Sequence, residues 1–331
     1  MDSAHIYAGT HAYVLLQKLL SETQRELLLG AENYDAFLQS LRETFLGVYM
    51  DSEGADSEAL TQALDRATLN AKREIERLLP NSELFTFIWL RYDFYNLKVL
   101  MKQEAQERSA DIKRTQSPLG TLSPEALERV VQSGNFTTLP PALSAAVRES
   151  KKNTRASLDV IMDRHYLTAA AEYAARTEDP FVNNYVALII DLFNLRTRLR
   201  VLLSEENGAS TSLDTVVTTG GTIPATSLEK KDDVLHRLAR FGGESFWRDA
   251  IATYEENGDF TLIDKAADDY LMHWLKRESV TVHSLAPIFA YFRVVQENVQ
   301  FIRTVATAKY VGLDETLLRT LIRNSYNAYV Y

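Results

Sequence analysis

A short polar pattern occurs three times along this chain, each time inside a long apolar stretch. The first two copies, at 93–98 and 191–196, both have the form Asp-x-x-Asn-Leu-basic. A weaker third copy at 298–303 keeps an aliphatic residue before its basic residue but lacks both the Asp and the later Asn. The polar positions of the three copies are Asp93, Asn96, Lys98, Asp191, Asn194, Arg196, Asn298 and Arg303. Their basic residues are 98 and 107 positions apart (196 − 98 and 303 − 196). This spacing is too long for solenoid repeats of about 20–50 residues and predicts copies of a small domain.

A second pattern has nearly the same spacing. Gly-Thr-Leu at 120–122 recurs as Gly-Thr-Ile at 221–223, which is 101 positions later (221 − 120). Two unrelated patterns with one spacing predict three helical repeats. We place these repeats at residues 1–103, 104–204 and 205–331, the last including a closing C-terminal helix. Asp314 is the predicted N-cap of that helix. We also hypothesise that it packs beside the N-terminal helices and closes the three repeats into a ring.

Composition predicts an all-α protein. Only 13 Gly and 8 Pro occur among the 331 residues, and the apolar residues recur at steps of three and four. The most apolar stretches, around the three polar patterns, predict helices that are buried on nearly all sides. The net charge of −9 argues against nucleic acid as a partner, because phosphate binding requires basic patches. No stretch is predicted to enter a membrane, and no signal peptide is expected.

Asp and Asn three positions apart lie on one face of a helix. These stripes could line a shared cavity that grips a partner, or they could hydrogen-bond between packed helices, since buried polar groups require partners. We favour packing, because packing solutions recur at matched positions of repeats whereas catalytic pairs rarely do.

The sequence offers no pattern typical of a catalytic, metal or cofactor site. It has no cysteine, its six histidines show no H-x-x-x-H or H-E-x-x-H spacing, and it contains no phosphate-binding Gly-rich loop or nucleophile elbow. We therefore expect no enzymatic activity and no cofactor.

The buried patterns resemble the C subunits of the bacterial and archaeal V/A-type ATPase or ATP synthase, whose eukaryotic counterpart is the d subunit of the V-type ATPase. The resemblance covers essentially the whole chain and extends to residues near its end. These are Pro287, Ile288, Tyr291, Ile302, Arg303, Lys309, Gly312, Leu313, Arg319, Arg323 and Tyr326. At Asn298 and Phe301 the chain departs from the family, which usually has an acid and an Asn there. A role that requires three equivalent carboxylates is therefore not expected.

The resemblance implies a non-catalytic rotor part, in the central stalk of a proton- or sodium-translocating complex. Such rotor parts are three helical repeats arranged as a funnel with approximate threefold symmetry. The funnel lies on the cytoplasmic face of the membrane-embedded proteolipid ring and receives the central shaft, which the D and F subunits form. The cytoplasmic part of the stator a/I subunit is a further candidate partner. Two other interpretations remain: a helical adaptor or scaffold unrelated to rotary ATPases, and an all-helical enzyme that uses scattered carboxylates.

Overall fold

Fourteen α-helices and no strand are found in the described part of this computed structural model, which confirms the all-α prediction. The structure describes residues 3–50, 57–79, 86–105, 116–152, 157–206, 217–281 and 283–324. In chain order the helices are α1 Ser3–Leu16, α2 Glu22–Leu29, α3 Tyr34–Arg42, α4 Ser57–Leu78, α5 Thr86–Ala105, α6 Pro124–Ser133, α7 Pro141–Lys152, α8 Leu158–Thr177, α9 Pro180–Glu206, α10 Lys231–Leu238, α11 Glu244–Asn257, α12 Thr261–Glu278, α13 Ala286–Val311 and α14 Glu315–Leu321.

Local sequence explains where several helices begin and end. The Ser21 hydroxyl oxygen accepts a hydrogen bond from the Gln24 backbone amide, and the Ser21 backbone amide donates to Gln24 Oε1. This pair of hydrogen bonds is a capping box, and it starts α2. The Ser123 side chain likewise accepts a hydrogen bond from a backbone amide at the start of α6. Asp314 caps α14, and this cap was predicted from the sequence. Gly312 adopts the left-handed conformation that ends α13. Asn81 and Ser82, whose residue types favour an N-cap before α5, and most of the Ser-, Thr- and Gly-rich segment 205–221 lie outside the described residues.

The chain divides into two compact units. The terminal unit combines the two ends of the chain, Met1–Asn81 and Asp268–Tyr331. The middle unit is the continuous segment Ser82–Ala267. The finer division into three repeats stays a prediction.

Three long helices, α5, α9 and α13, carry the polar patterns. In the middle unit, α8 packs against both α5 and α9. In the terminal unit, α13 packs against α1 and α4 and is buried along most of its length. This continuous burial is the arrangement expected for a helix that is apolar on nearly all sides. None of the described helices combines the length and the hydropathy needed to cross a bilayer.

Candidate functional site

The first polar pattern fixes the loop that follows α5. Asp93 Oδ1 accepts a hydrogen bond from the Leu122 backbone amide at 3.0 Å, and the Thr121 hydroxyl donates to Asp93 Oδ2. One turn further along, Asn96 Nδ2 donates to the Ser117 carbonyl at 2.8 Å, and the Ser117 amide donates to Asn96 Oδ1 at 2.7 Å. Asp93 and Asn96 are both fully buried, so the loop supplies the partners that their burial requires.

The second pattern makes a matching set of hydrogen bonds. Asp191 accepts from the Thr222 amide at 3.0 Å, from the Thr222 hydroxyl at 2.6 Å and from the Ile223 amide at 3.0 Å. Asn194 exchanges two hydrogen bonds of 2.8 Å with the backbone of Thr218. We call each of these helix-to-loop arrangements a clasp: an Asp and an Asn on a long helix that hold the backbone of the loop after it.

A glycine in each loop makes the close approach possible. A Cβ atom added at Gly120 would lie 2.2 Å from Asp93 Oδ1, and one at Gly221 would lie 2.1 Å from Asp191 Oδ1. Both distances are too short for any side chain, so glycine is needed for steric room. The Gly-Thr-aliphatic pattern and the Asp-x-x-Asn pattern are therefore the two halves of one interaction. They are not unrelated, as the sequence alone had suggested, and their common spacing reflects this pairing.

The partners of these side chains lie in loops, whereas the packing interpretation predicts neighbouring helices. Buried and hydrogen-bonded as they are, the four side chains do not present themselves to an external ligand. Charge-assisted hydrogen bonds from backbone amides to a carboxylate are among the stronger ones in proteins. The clasps can therefore hold the start of the following segment firmly on each long helix.

The third pattern replaces the clasp with a contact to the other end of the chain. In the amide orientation that satisfies its neighbours, Asn298 Oδ1 accepts from the Leu20 backbone amide at 3.2 Å and its Nδ2 donates to Glu297 Oε2 at 3.0 Å. Leu20 precedes Ser21, the cap of α2, just as Leu122 precedes Ser123, the cap of α6. Asn298 thus accepts the same kind of hydrogen bond as Asp93, from the backbone amide of the residue before a helix cap. For Asn298 that residue lies in an N-terminal loop, whereas for Asp93 it lies in the loop after the long helix.

A buried arginine completes this third site. The Arg25 guanidinium lies 3.9 Å from the centre of the Phe301 ring, donates to Glu297 Oε1 at 2.7 Å and donates to the Arg323 carbonyl at 3.0 Å. Burial raises the pKa of Glu297 above its ordinary value of 4.5, although the Arg25 charge opposes this shift. Arg25 is not among the residues predicted from the sequence, because its partners lie more than 270 positions further along the chain.

The basic residue of each pattern pairs with an Asp on a neighbouring helix. Lys98 Nζ lies 3.2 Å from Asp163 of α8, Arg196 lies 3.4 Å from Asp264 of α12, and Arg303 lies 3.0 Å from Asp65 of α4. The three Asp residues are themselves spaced by 98 and 101 positions (163 − 65 and 264 − 163). The first two partners lie ahead in the sequence, whereas the third basic residue returns to the N-terminal part. This is the same cyclic order as in the loop contacts.

Among the described residues, no three His, Asp or Glu side chains are grouped as metal ligands. The polar side chains of the three patterns are used in hydrogen bonds and ion pairs that hold the chain together.

Comparisons with known proteins identify the family of this chain. The family described as "ATP synthase (C/AC39) subunit" matches residues 10–321. A curated relative, the C subunit of the V-type sodium ATPase of Enterococcus hirae, is 23% identical over 326 residues, which cover 94% of this chain and 95% of the relative. The chain belongs to the C/AC39 family of V/A-type ATPase subunits.

Proposed function

We propose that this chain is a non-catalytic rotor subunit of a proton- or sodium-translocating V/A-type ATPase or ATP synthase. In this role it joins the central shaft, made of the D and F subunits, to the membrane proteolipid ring on the cytoplasmic face. The cytoplasmic part of the stator a/I subunit is a further candidate neighbour. The family match over nearly the whole chain supports membership of such a complex.

The single observation that carries the architectural part of the proposal is the cyclic order of the contacts. The third long helix takes its partners, Leu20 and Asp65, from the N-terminal part of the chain. Both contacts lie within the terminal unit, which the two ends of the chain build together. The closed ring of three repeats with approximate threefold symmetry, and the funnel that receives the shaft, are part of the proposal and are what the family resemblance implies.

The interior chemistry of both units suits a part that transmits torque. Close-packed cores have low compressibility and transmit strain. The clasps add charged hydrogen bonds at Asp93 and Asp191, where one helical segment is followed by the next. Under this proposal the repeated polar residues serve stiffness, and the partner-binding surfaces lie elsewhere.

The test is assembly from purified parts. The full chain is mixed with the detergent-solubilised proteolipid ring, with the D–F shaft, and with both, and complexes are separated by size. We expect a ternary complex, and we expect the ring and the shaft each to bind the chain singly. A folded chain that binds neither component, across a range of ionic strengths, would contradict the rotor assignment and favour the adaptor alternative.

A further inference from the structure

The last described segment of the chain, residues 314–324, contacts both parts of the sequence that build the terminal unit. It consists of α14, the cap residue Asp314 and the three residues after the helix, and we call it the strap. Of its side chains that the structure describes, only that of Leu318 is buried, whereas α13 is buried along most of its length. Apolar burial therefore contributes little to holding the strap in place.

Polar contacts attach the strap to α2 in the N-terminal part of the chain. The Arg319 guanidinium donates to both oxygens of the Glu26 carboxylate, at 3.1 and 2.8 Å. The buried Arg25 guanidinium donates to the Arg323 carbonyl at 3.0 Å. Arg319 and Glu26 lie 293 positions apart, so the C-terminal helix contacts an N-terminal helix, which is the packing hypothesised from the sequence. The closure of three repeats into a ring stays a hypothesis.

A second set of polar contacts attaches the end of the strap to α12. Arg323 Nε donates to Asp268 Oδ2 at 2.7 Å. The Asn324 backbone amide donates to Asp269 Oδ1 at 3.0 Å, and the Asn324 side chain donates to Asp269 Oδ2 at 3.1 Å. The strap therefore connects α2 with α12 through three carboxylates, those of Glu26, Asp268 and Asp269.

The ion pairs of the strap are open to solvent. The side chains of Arg319 and Glu26 are 42% and 57% exposed, and those of Arg323 and Asp268 are 35% and 26% exposed. Salt screens pairs of exposed charges, because the Debye length falls from about 10 Å at about 0.1 M ionic strength to about 3 Å at about 1 M. A segment held largely by such pairs should therefore detach more readily as the ionic strength rises.

Two charges that bind the strap keep a second partner when it detaches. Arg25 stays paired with Glu297 at 2.7 Å, and Asp268 stays 3.6 Å from Arg293 of α13. A buried charge that loses its only partner is costly, and at Arg25 the Glu297 carboxylate avoids this cost. Detachment of the strap therefore leaves the third site at Asn298 with its own contacts to Leu20 and Glu297.

We propose that the strap is a salt-sensitive cover that detaches from α2 and α12 as one segment while the rest of the terminal unit stays folded. Because one short segment makes all of these contacts, they are lost together. Detachment uncovers an acidic surface formed by Glu26, Asp268 and Asp269. The inference is independent of the proposed rotor function, since it rests only on contacts within the terminal unit.

The experiment measures hydrogen exchange of the full chain at low and at high salt by mass spectrometry, with peptides from the strap, from α13 and from the middle unit. The wild type is compared with Arg319→Gln, with Arg323→Gln and with the double variant. Arg77→Gln is the matched control, because Arg77 forms an exposed ion pair of 2.7 Å with Glu74 on α4 of the same unit, away from the strap. Thermal midpoints establish that every variant is folded, and an unfolded reference peptide corrects for the effect of salt on intrinsic exchange.

We expect each single variant to speed exchange in the strap by about threefold and the double variant by about tenfold, as the loss of exposed ion pairs allows. Raising the salt concentration from about 0.05 M to about 1 M should have a similar effect on the wild type. The effect of salt on the double variant should be smaller, because the pairs that salt screens are already gone. Exchange in α13, and exchange in the strap of Arg77→Gln, should stay within about twofold of the wild type.

Three outcomes would overturn the proposal. Exchange in the strap that is as slow as in α13 at every salt concentration would mean that the segment opens only with the whole unit. Acceleration of α13 together with the strap at high salt would mean that the strap is not separable. Exchange in the strap that is independent of salt and equal in all variants would mean that charge does not hold it. The salt series on the wild type tests the proposal even if the double variant fails to fold.

Discussion

The two clasps of the middle unit and the third site of the terminal unit both bind the backbone of a loop to a long helix, but they use different side chains. At Asp93 and Asp191 a carboxylate takes backbone amides directly and a glycine makes room for it. At the third site the neutral side chain of Asn298 accepts a hydrogen bond from the Leu20 backbone amide. The negative charge at this site belongs to the preceding residue, Glu297. Arg25 then balances Glu297 and covers Phe301.

This difference explains why the third pattern has Asn298 where the other two patterns have an Asp. A carboxylate at 298 would face the Glu297 carboxylate at hydrogen-bonding distance, and two such charges in a buried site repel strongly. Once Glu297 and Arg25 occupy this site, an amide is the compatible choice. Asn298 therefore keeps the hydrogen bond from a backbone amide that Asp93 makes, and it adds a hydrogen bond to Glu297 that an Asp could not donate.

The largest effect should come from removing a clasp carboxylate. Asp191→Ala leaves two backbone amides and the Thr222 hydroxyl without their acceptor in a buried site, so we expect the free energy of unfolding to fall by about 3–5 kcal/mol. Urea denaturation measures this change, and hydrogen exchange at Thr222 and Ile223 localises it. Asp249→Ala, which removes an exposed carboxylate in the same unit, should be nearly neutral. Equal stability of the two variants would mean that the clasp contributes nothing.

The glycine half of the clasp should give the next largest effect. Gly221→Ala places a Cβ atom against Asp191 Oδ1, and relief of this overlap should cost about 1–3 kcal/mol. In the double variant with Asp191→Ala the overlap is removed, so the combined loss should be smaller than the sum of the two single losses. Simple additivity in denaturation experiments would show that the glycine and the carboxylate act independently.

Restoring the acid in the third copy should destabilise the protein. Asn298→Asp introduces a carboxylate beside Glu297, and we expect a loss of about 1–2 kcal/mol at neutral pH. The pKa of Glu297 is already raised above 4.5 by burial, and a second carboxylate raises it further. A carboxyl whose pKa is raised on folding binds its proton more tightly in the folded state, so the loss should diminish as pH falls through that raised pKa.

The test measures the unfolding free energy of Asn298→Asp and of the wild type from neutral pH down towards 4.5, the ordinary pKa of a glutamate. Asn298→Ala is the control without a charge, and its loss should not shrink with falling pH in this way. If Asn298→Asp were as stable as the wild type at neutral pH, repulsion by Glu297 would not be the reason for the amide.

The smallest effect is expected at the basic position that all three copies share. Arg303 and Asp65 are both more than one-third exposed, so their ion pair should contribute about 0–1 kcal/mol. Arg303→Gln, Asp65→Asn and the double variant, compared by urea denaturation at low and high salt, measure the coupling. A coupling far above this range would make the basic residue, and not the clasp, the main element of the repeat.

The helices themselves follow from the sequence. Apolar residues at helical spacing predicted α5, α9 and α13, and the cap at Asp314 was predicted from residue type and position alone. These features depend on residues only a few positions apart, where local backbone preferences dominate. The all-α class and the repeated patterns were accessible for the same reason.

The sequence by itself determined that long buried helices recur and that each carries an acid or amide, followed by a basic residue. Only the tertiary structure decided what those residues bind. Gly120 lies 27 positions from Asp93 and Leu20 lies 278 positions from Asn298 (120 − 93 and 298 − 20), so neither pairing is encoded in local preference. Such contacts form when the packing of apolar faces brings distant segments together and leaves buried polar groups that must find partners. The recurring pattern that first suggested a site therefore supplies the helix side chains of an internal hydrogen-bonded contact. The backbone groups that they bind lie in the loop after the first two long helices and, for the third, in the N-terminal part of the chain.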